Sequence, residues 1–430
     1  MNKLSGLLAI AAAVWGLGAP AAAKPAGDFA IVGARIYPAP DAPPIEDGVV
    51  VIRGGKIARV GVRGKTSLPK GARIIEARGQ VLTAGFWNSH VHLLSPAQLG
   101  AATARPEVLQ AELADMFTRW GFTAVFDLGS GTAATLALSR RVASGEIAGP
   151  AILTVGDPFY PQDGTPIYVR AFYKANNWPS AEVATPEDGA ARAARQLDQG
   201  AAGVKLFTGA VVGGTAGVLP MRVDIAKAIV DEAHRRGKIA FTHPANLAGL
   251  TVAVEAGVDV LAHTTAMDGG GVPGGWSPEL IARMRARNIA LIPTMSLLEV
   301  EAARSKGRPE ALAQGLAMIA DEVRDYAAAG GQILFGTDVG YTDLFDTTRE
   351  YRLMAGALDW RQILASLTTA PASRFGYAKR KGKIARGMDA DLVLLSADPE
   401  KDPTAFAKVA YTIRAGQVIW GGAVSPAPAR

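Results

Sequence analysis

Two histidines separated by one residue, His90 and His92, close a short apolar run in Leu82-Thr83-Ala84-Gly85-Phe86-Trp87-Asn88-Ser89-His90-Val91-His92-Leu93. On an extended strand, where side chains alternate, both imidazoles project from one face and can share a cation. Other groups of similar chemistry sit in comparable places. Lys205 lies within Gly203 to Phe207, His243 follows Ile239 to Thr242, His263 follows Val258 to Ala262, and Asp338 follows Gln332 to Gly336. The sequence has no cysteine, so thiolate ligands and disulfides are excluded and any metal must be held by nitrogen and oxygen. Imidazole and carboxylate around a divalent ion is the chemistry of an activated water. The remaining histidine, His234, falls in the last turn of a helix beside Arg235 and Arg236 and reads as a surface residue.

Placing these groups together requires a scaffold that ends several strands at one rim. Short apolar strands alternate with helical stretches through the middle of the chain, the signature of a parallel sheet with crossover helices. The strands expected are Val81 to Ser89, Thr123 to Asp127, Ala151 to Val155, Gly203 to Phe207, Ile239 to Thr242, Val258 to Ala262, Ile289 to Ile292 and Gln332 to Gly336. Between them, Pro106 to Trp120, Thr132 to Val142, Pro186 to Gln199, Met221 to Arg236, Leu247 to Glu255, Pro278 to Arg287 and Glu310 to Ala328 carry apolar residues at helical spacing. Eight such units predict a closed (β/α)8 TIM barrel, whose chemistry sits at the C-terminal ends of its strands. His90, His92, Lys205, His243, His263 and Asp338 all fall within or just after those strands. The chain ends differ: Val- and Ile-rich runs broken by Gly54-Gly55 and by Ala415-Gly416 predict hairpins and one small β domain shared by both termini. The expected organisation is therefore residues 24–82 and 379–424 for the small domain, 83–378 for the barrel, and 425–430 as a tail.

Composition narrows the function classes. Hydrophobic residues at 49% with 20% charged exclude a disordered chain, and a formal charge of +6 is too small an excess for a chain this long to call for nucleic acid. The basic cluster Lys379 to Lys383 reads as a turn leading into a strand. Residues 1–23 have a positive start at Lys3, an apolar stretch from Leu7 to Ala19 and a small-residue site at Ala21-Ala22-Ala23, which predicts a cleavable secretory signal and a periplasmic or secreted protein. The apolar stretch is shorter than the roughly 20 residues that span a bilayer, so no stable membrane insertion is expected after cleavage.

From about Phe29 to Trp420 the chain resembles the amidohydrolase superfamily, a TIM barrel with a small β-sandwich built from both ends. The motifs that carry the resemblance are Gly85 to His92, Gly203-Val204-Lys205, Phe241-Thr242-His243, Leu261-Ala262-His263, Leu334 to Asp338, Gly382 to Val393 and Ile413 to Ile419. The resemblance implies two divalent metal ions, zinc by default. His90, His92 and Asp338 would bind the more buried ion and His243 and His263 the second, with Lys205, carboxylated at its amine, bridging both. It also implies hydrolysis by a metal-activated water, with Asp338 as proton shuttle.

Within that superfamily the chain looks most like the dipeptidase-like, amide-hydrolysing branch. The likeness rests on Gly203-Val204-Lys205, His243-Pro244-Ala245 and Asp346 to Glu350. Small substrates such as N-acyl amino acids or dipeptides follow from it, and oligomers are common in the superfamily. Tyr160, Tyr168 and Arg170, in the long loop after the third strand, are candidates to hold a substrate ring or carboxylate. The alternatives are a single-metal site, lactone, ester or phosphotriester hydrolysis on the same ligands, and a metal-binding protein without turnover.

Overall fold

The computed structural model describes residues 28–265 and 275–422, together with the backbone of Ser425–Pro426. The expected signal, residues 1–23, and residues 427–430 of the tail lie outside the described residues.

The two ends of the chain meet in one nine-stranded sheet. Phe29–Ile36 is its hub, antiparallel to Ile45–Arg53 on one side and forked on the other. Its first half pairs in parallel with Arg73–Glu76, and its end pairs with Val81–Ala84. Gly33 lies between the halves at φ +90°, a left-handed conformation that glycine adopts without steric cost. Leu392–Leu395 adds antiparallel to Val81–Ala84, with Leu392 opposite Ala84 and Leu394 opposite Leu82, and Val409–Arg414 and Gln417–Trp420 extend that edge. The expected hairpin turns occur at Gly54-Gly55 and Ala415-Gly416, both in positive φ. Ile31, Val50 and Ile52, with Ile36 beyond the irregularity at Gly33, face one buried core, and the alternating Ala30, Val32, Val49 and Val51 face a second. The basic turn is part of this unit: Lys381 pairs with buried Asp391, and Arg380 lies 3.0 Å from buried Asp389.

The central strands run parallel in two sheets. Phe86–Val91, Phe122–Asp127 and Ala151–Thr154 form the first. Gly203–Leu206, Ile239–Thr242, Val260–Ala262, Ala290–Ile292 and Gln332–Ile333 form the second. Main-chain bonds join the sheets at both edges. On one side the Ala202 N–H donates to Thr154 O (2.7 Å) and the Phe159 N–H to Lys205 O (2.8 Å). On the other the Ser89 N–H donates to Phe335 O and the His92 N–H to Val339 O, both at 2.8 Å.

Two expectations are corrected here. Val81 to Ser89 is not one strand: Val81–Ala84 belongs to the terminal sheet and Phe86–Val91 to the central one. The break falls at Gly85, whose N–H bonds to Asp391 O and where a Cβ would stand 2.3 Å from Thr123 Oγ1. The eighth strand ends at Ile333, because the chain to Asp338 bends across toward the first strand instead of continuing the ladder.

Helices pack outside the strands. Val223–Arg235 illustrates why: Ile225, Ala226, Ile229, Val230 and Ala233 make one buried stripe at three- and four-residue spacing. Thr185 and Ser277 cap their helices through bonds from the Asp188 and Leu280 N–H groups, as the Thr-Pro and Ser-Pro starts predict. Enclosed by the strands, Phe126, Phe241 and Phe375 pack edge-to-face and tilted with centroids 4.7–6.0 Å apart, beside Val260, Ile292 and Leu334. The interior is thus filled with side chains below the strand exits. No helix among the described residues is long and apolar enough to cross a membrane.

Candidate metal centre

The structure brings His90, His92, Lys205, His243, His263 and Asp338 to one rim. His90 is the buried penultimate residue of the first strand, and His92 follows its end. Their Nε2 atoms lie 3.1 and 3.0 Å from the same oxygen, Asp338 Oδ1, and His263 Nε2 lies 3.7 Å from Oδ2. The ring centroids of His90 and His263 are 4.7 Å apart, as are those of His243 and His263. Phe207 stacks on His243 at 4.8 Å and 14°, and the buried Lys205 amine stands 5.7 Å from the Phe207 ring.

Two of the rim residues hold left-handed backbone. His263 has φ +75° and Asp338 φ +58°, left-handed positions that cost a non-glycine residue about 1–3 kcal/mol and persist only where surrounding contacts impose them. One such contact is the Asp338 N–H bond to His90 O at 2.9 Å, which ties the end of the eighth strand to the first.

Hydrogen bonds to the outer ring nitrogens orient two histidines. His92 Nδ1 lies 3.2 Å from Gly129 O, so it carries the proton and Nε2 keeps its lone pair. His263 Nδ1 contacts Thr294 Oγ1, whose own proton goes to Pro293 O at 2.8 Å. Thr294 therefore accepts from Nδ1–H and leaves the lone pair of Nε2 facing Asp338.

Burial, reinforced for His243 by Lys205, pushes the His90 imidazole down to about 4 and the His243 imidazole to about 3. Burial and the neighbouring His243 and His90 hold His263 well below its ordinary value. These three rings are neutral at pH 7. Burial opposes ionisation of Asp338, yet His90 and His92 outweigh it and keep the carboxyl well below the carboxylate range. Burial lowers Lys205 to about 7, with Asp338 opposing. Asp338 Oδ1 and His90 Nδ1 are buried without a directed hydrogen bond among the described residues. Neutral imidazoles, an anionic carboxylate and orphaned buried donor atoms fit a divalent cation, and ligand atoms of His90, His263 and Asp338 lie within 4.8 Å of one another.

The expected substrate contacts fare differently. Tyr160 is 2% exposed, its ring edge-on to Phe207 at 4.8 Å and its hydroxyl 3.3 Å from that of Tyr173; it is a packing residue behind the site. Arg170 is exposed and donates to Thr165 O at 3.0 Å, pinning its own loop instead of facing the cluster. Tyr168 packs edge-on against Tyr341 at 5.4 Å. Burial, then Tyr341 and Asp338, raises its phenol well above the ordinary value, so its hydroxyl stays protonated. Tyr341 is a neighbour that no motif announces; its hydroxyl donates to Glu301 at 2.9 Å and Arg304 lies over its ring. Gly129 and Thr294 were equally silent in the sequence, since one acts through a carbonyl and the other through a tertiary contact. His234 is exposed, as expected, and pairs with Asp259 at 2.9 Å.

Parallel strands wrapped by helices carry imidazoles and a carboxylate at their exits, a donor set that could hold a divalent ion. Residues 81–419 match the amidohydrolase family, and the chain belongs to it. Among curated relatives, dihydroorotase of Anaeromyxobacter dehalogenans is 26% identical over 398 residues, 82% of this chain and 86% of that one. Ochratoxinase of Aspergillus niger is 26% identical over 210 residues; that match takes in 46% of this chain and only 42% of the relative's length. Among solved structures, a putative prolidase from Bifidobacterium longum superposes with a TM-score of 0.76 at 26% identity, covering 95% of this chain and 97% of that one. A Xaa-Pro dipeptidase with methionine in its active site gives 0.77 at 23% identity over 92% of this chain and 100% of its own, a likeness of fold.

Proposed function

We propose that this chain is an exported, metal-dependent hydrolase that cleaves the amide bond of a small substrate such as an N-acyl amino acid or a dipeptide. The observation that carries the reading is the convergence of four histidines, Lys205 and Asp338 at one rim. In this reading the two parallel sheets, bonded at both edges, are a closed (β/α)8 barrel, and the forked terminal sheet is its β-sandwich. Membership of the amidohydrolase family and the likeness to a putative prolidase support an amide as the bond that is cut.

His90, His92 and Asp338 would hold one divalent ion, and His243 and His263 a second. Lys205 would lie between them as a carbamate. Its lowered pKa keeps much of the amine neutral near pH 7, the form that adds to CO2 with loss of one proton. Bound ions, zinc by default for nitrogen and oxygen ligands, lower the pKa of a water and polarise the scissile carbonyl. Asp338, anionic and aimed at the same point as the histidines, would accept the proton of the attacking water and return it to the leaving nitrogen. Tyr168, protonated beside Tyr341, is positioned to donate a hydrogen bond to the substrate. The test is metal analysis of the purified protein with a panel of N-acyl amino acids, dipeptides, esters, lactones and phosphotriesters. Amide turnover with about two bound ions is expected; turnover of esters or phosphotriesters alone, or of nothing by metal-loaded protein, overturns the reading. Export is checked by N-terminal sequencing of the mature protein, expected to begin at Lys24.

A further inference from the structure

Glu350 sits in the short helix Thr348–Met354 after the eighth strand and is 1% exposed, yet no cation pairs with it among the described residues. A carboxylate buried without a counter-charge is expensive unless donors saturate it. The donors here are two main-chain amides and a hydroxyl: the Met295 N–H bonds to Oε1 and the Ser296 N–H to Oε2, both at 2.8 Å, and the Ser296 side chain bonds to the same carboxyl group. These two residues leave the seventh strand directly after Thr294, whose φ of +44° is an outlier for a β-branched residue. Thr294 is also the residue whose hydroxyl accepts from His263 Nδ1–H.

We propose that Glu350 is a positioning residue for the metal centre: by clamping the Met295 and Ser296 amides it holds Thr294 in the left-handed turn that orients His263. The inference rests on the reading of His263 as a metal ligand. The path runs from a carboxylate on one helix, through two amides some 54 and 55 residues away in sequence, to a hydroxyl and then to the imidazole. Each oxygen takes one amide, so an uncharged amide side chain of the same size keeps one bond and turns an N–H against the other. Thr294 then loses the contact that offsets its backbone strain, and the Nδ1–H bond that fixes the His263 tautomer loosens.

The experiment is titration of the metal-free full-length protein with Co2+, read by affinity and by the cobalt absorption spectrum, with thermal stability measured separately. Glu350→Gln is expected to weaken binding at the His263 position about 10–100-fold, the usual effect of losing an outer partner of a metal-bound histidine, and to alter the spectrum. Thr294→Val should do the same and Thr294→Ser should not. The double variant Glu350→Gln/Thr294→Val should bind no more weakly than Thr294→Val alone, because both act on one path. Wild-type protein that binds no Co2+ overturns the metal reading itself. Wild-type binding with an unchanged affinity and spectrum in Glu350→Gln, or losses that multiply in the double variant, overturns the role of Glu350. Should Glu350→Gln not fold, Glu350→Asp, which keeps the charge but withdraws the oxygens, is read in the same assay with the same outcomes.

Discussion

Gly340 offers a direct test of how the eighth-strand exit positions the first. It has φ +99°, and a Cβ built there would lie 1.9 Å from His92 O and 2.6 Å from His92 C. Both are backbone atoms, so no rotamer change relieves the overlap. Gly340→Ala therefore adds a steric term of about 1–3 kcal/mol to a left-handed penalty of about 1–2 kcal/mol, some 2–5 kcal/mol in total. For a chain of this length that corresponds to a fall in Tm of about 2–6 °C. The matched control is Gly376→Ala, at φ +82° with nothing within 4 Å of the added carbon, which carries the conformational term alone. Differential scanning calorimetry on both metal-free variants separates the two terms. The displaced carbonyl belongs to His92, so Gly340→Ala should also weaken divalent-metal binding, whereas Gly376→Ala should leave it unchanged. Equal Tm shifts in the two variants, with metal affinity intact in both, would refute the claim that close approach of these two chain segments sets the position of His92.

Asp338→Asn should lower kcat by about 10²–10⁴-fold while the protein stays folded, because the amide retains the shape but cannot shuttle the proton; near-normal turnover sinks that assignment. Lys205→Ala should reduce the metal content from about two ions per chain, with partial recovery of activity on adding short carboxylic acids, and two ions retained without them count against a bridging role. The pH dependence of metal-free protein follows from the histidines. Their folded values of about 4 for His90 and about 3 for His243 lie below the ordinary 6.5, so in that window the unfolded chain binds protons that the folded chain does not. Stability should fall as pH drops from 6.5 toward 4, and Tm measured across that range in His90→Asn should show a shallower slope; an identical slope contradicts the neutral, buried state of His90.

The groups that converge at the rim could be read from the chain because the chemistry restricts residue types and the alternation of strands and helices restricts where strands end. His90, His92, Lys205, His243, His263 and Asp338 each sit within or just after an apolar run, and hydrophobic periodicity is a local property. The hairpin turns at Gly54-Gly55 and Ala415-Gly416 were legible for the same reason: a turn needing positive φ selects glycine within a few residues. The uninterrupted strand from Val81 to Ser89 failed, since nothing local distinguishes a strand that changes sheets at Gly85 from one that continues. That change depends on Asp391 and Thr123 arriving from distant segments.

Substrate contacts were the least legible. Tyr160, Tyr168 and Arg170 are alike in sequence as polar residues of one loop, but Tyr160 packs behind Phe207, Arg170 turns back onto Thr165, and Tyr168 packs edge-on against Tyr341. Which way a loop side chain points is a property of what packs beneath it. Sequence alone determined the residue types at the rim, the parallel α/β class and the union of the two chain ends in one sheet. Tertiary structure alone decided the tautomer of His263 through Thr294, the clamp of Glu350 on the seventh-strand exit, and the left-handed turns that aim His263 and Asp338. Those features are contacts between residues tens to hundreds of positions apart, with energies that exist only once the intervening chain has folded.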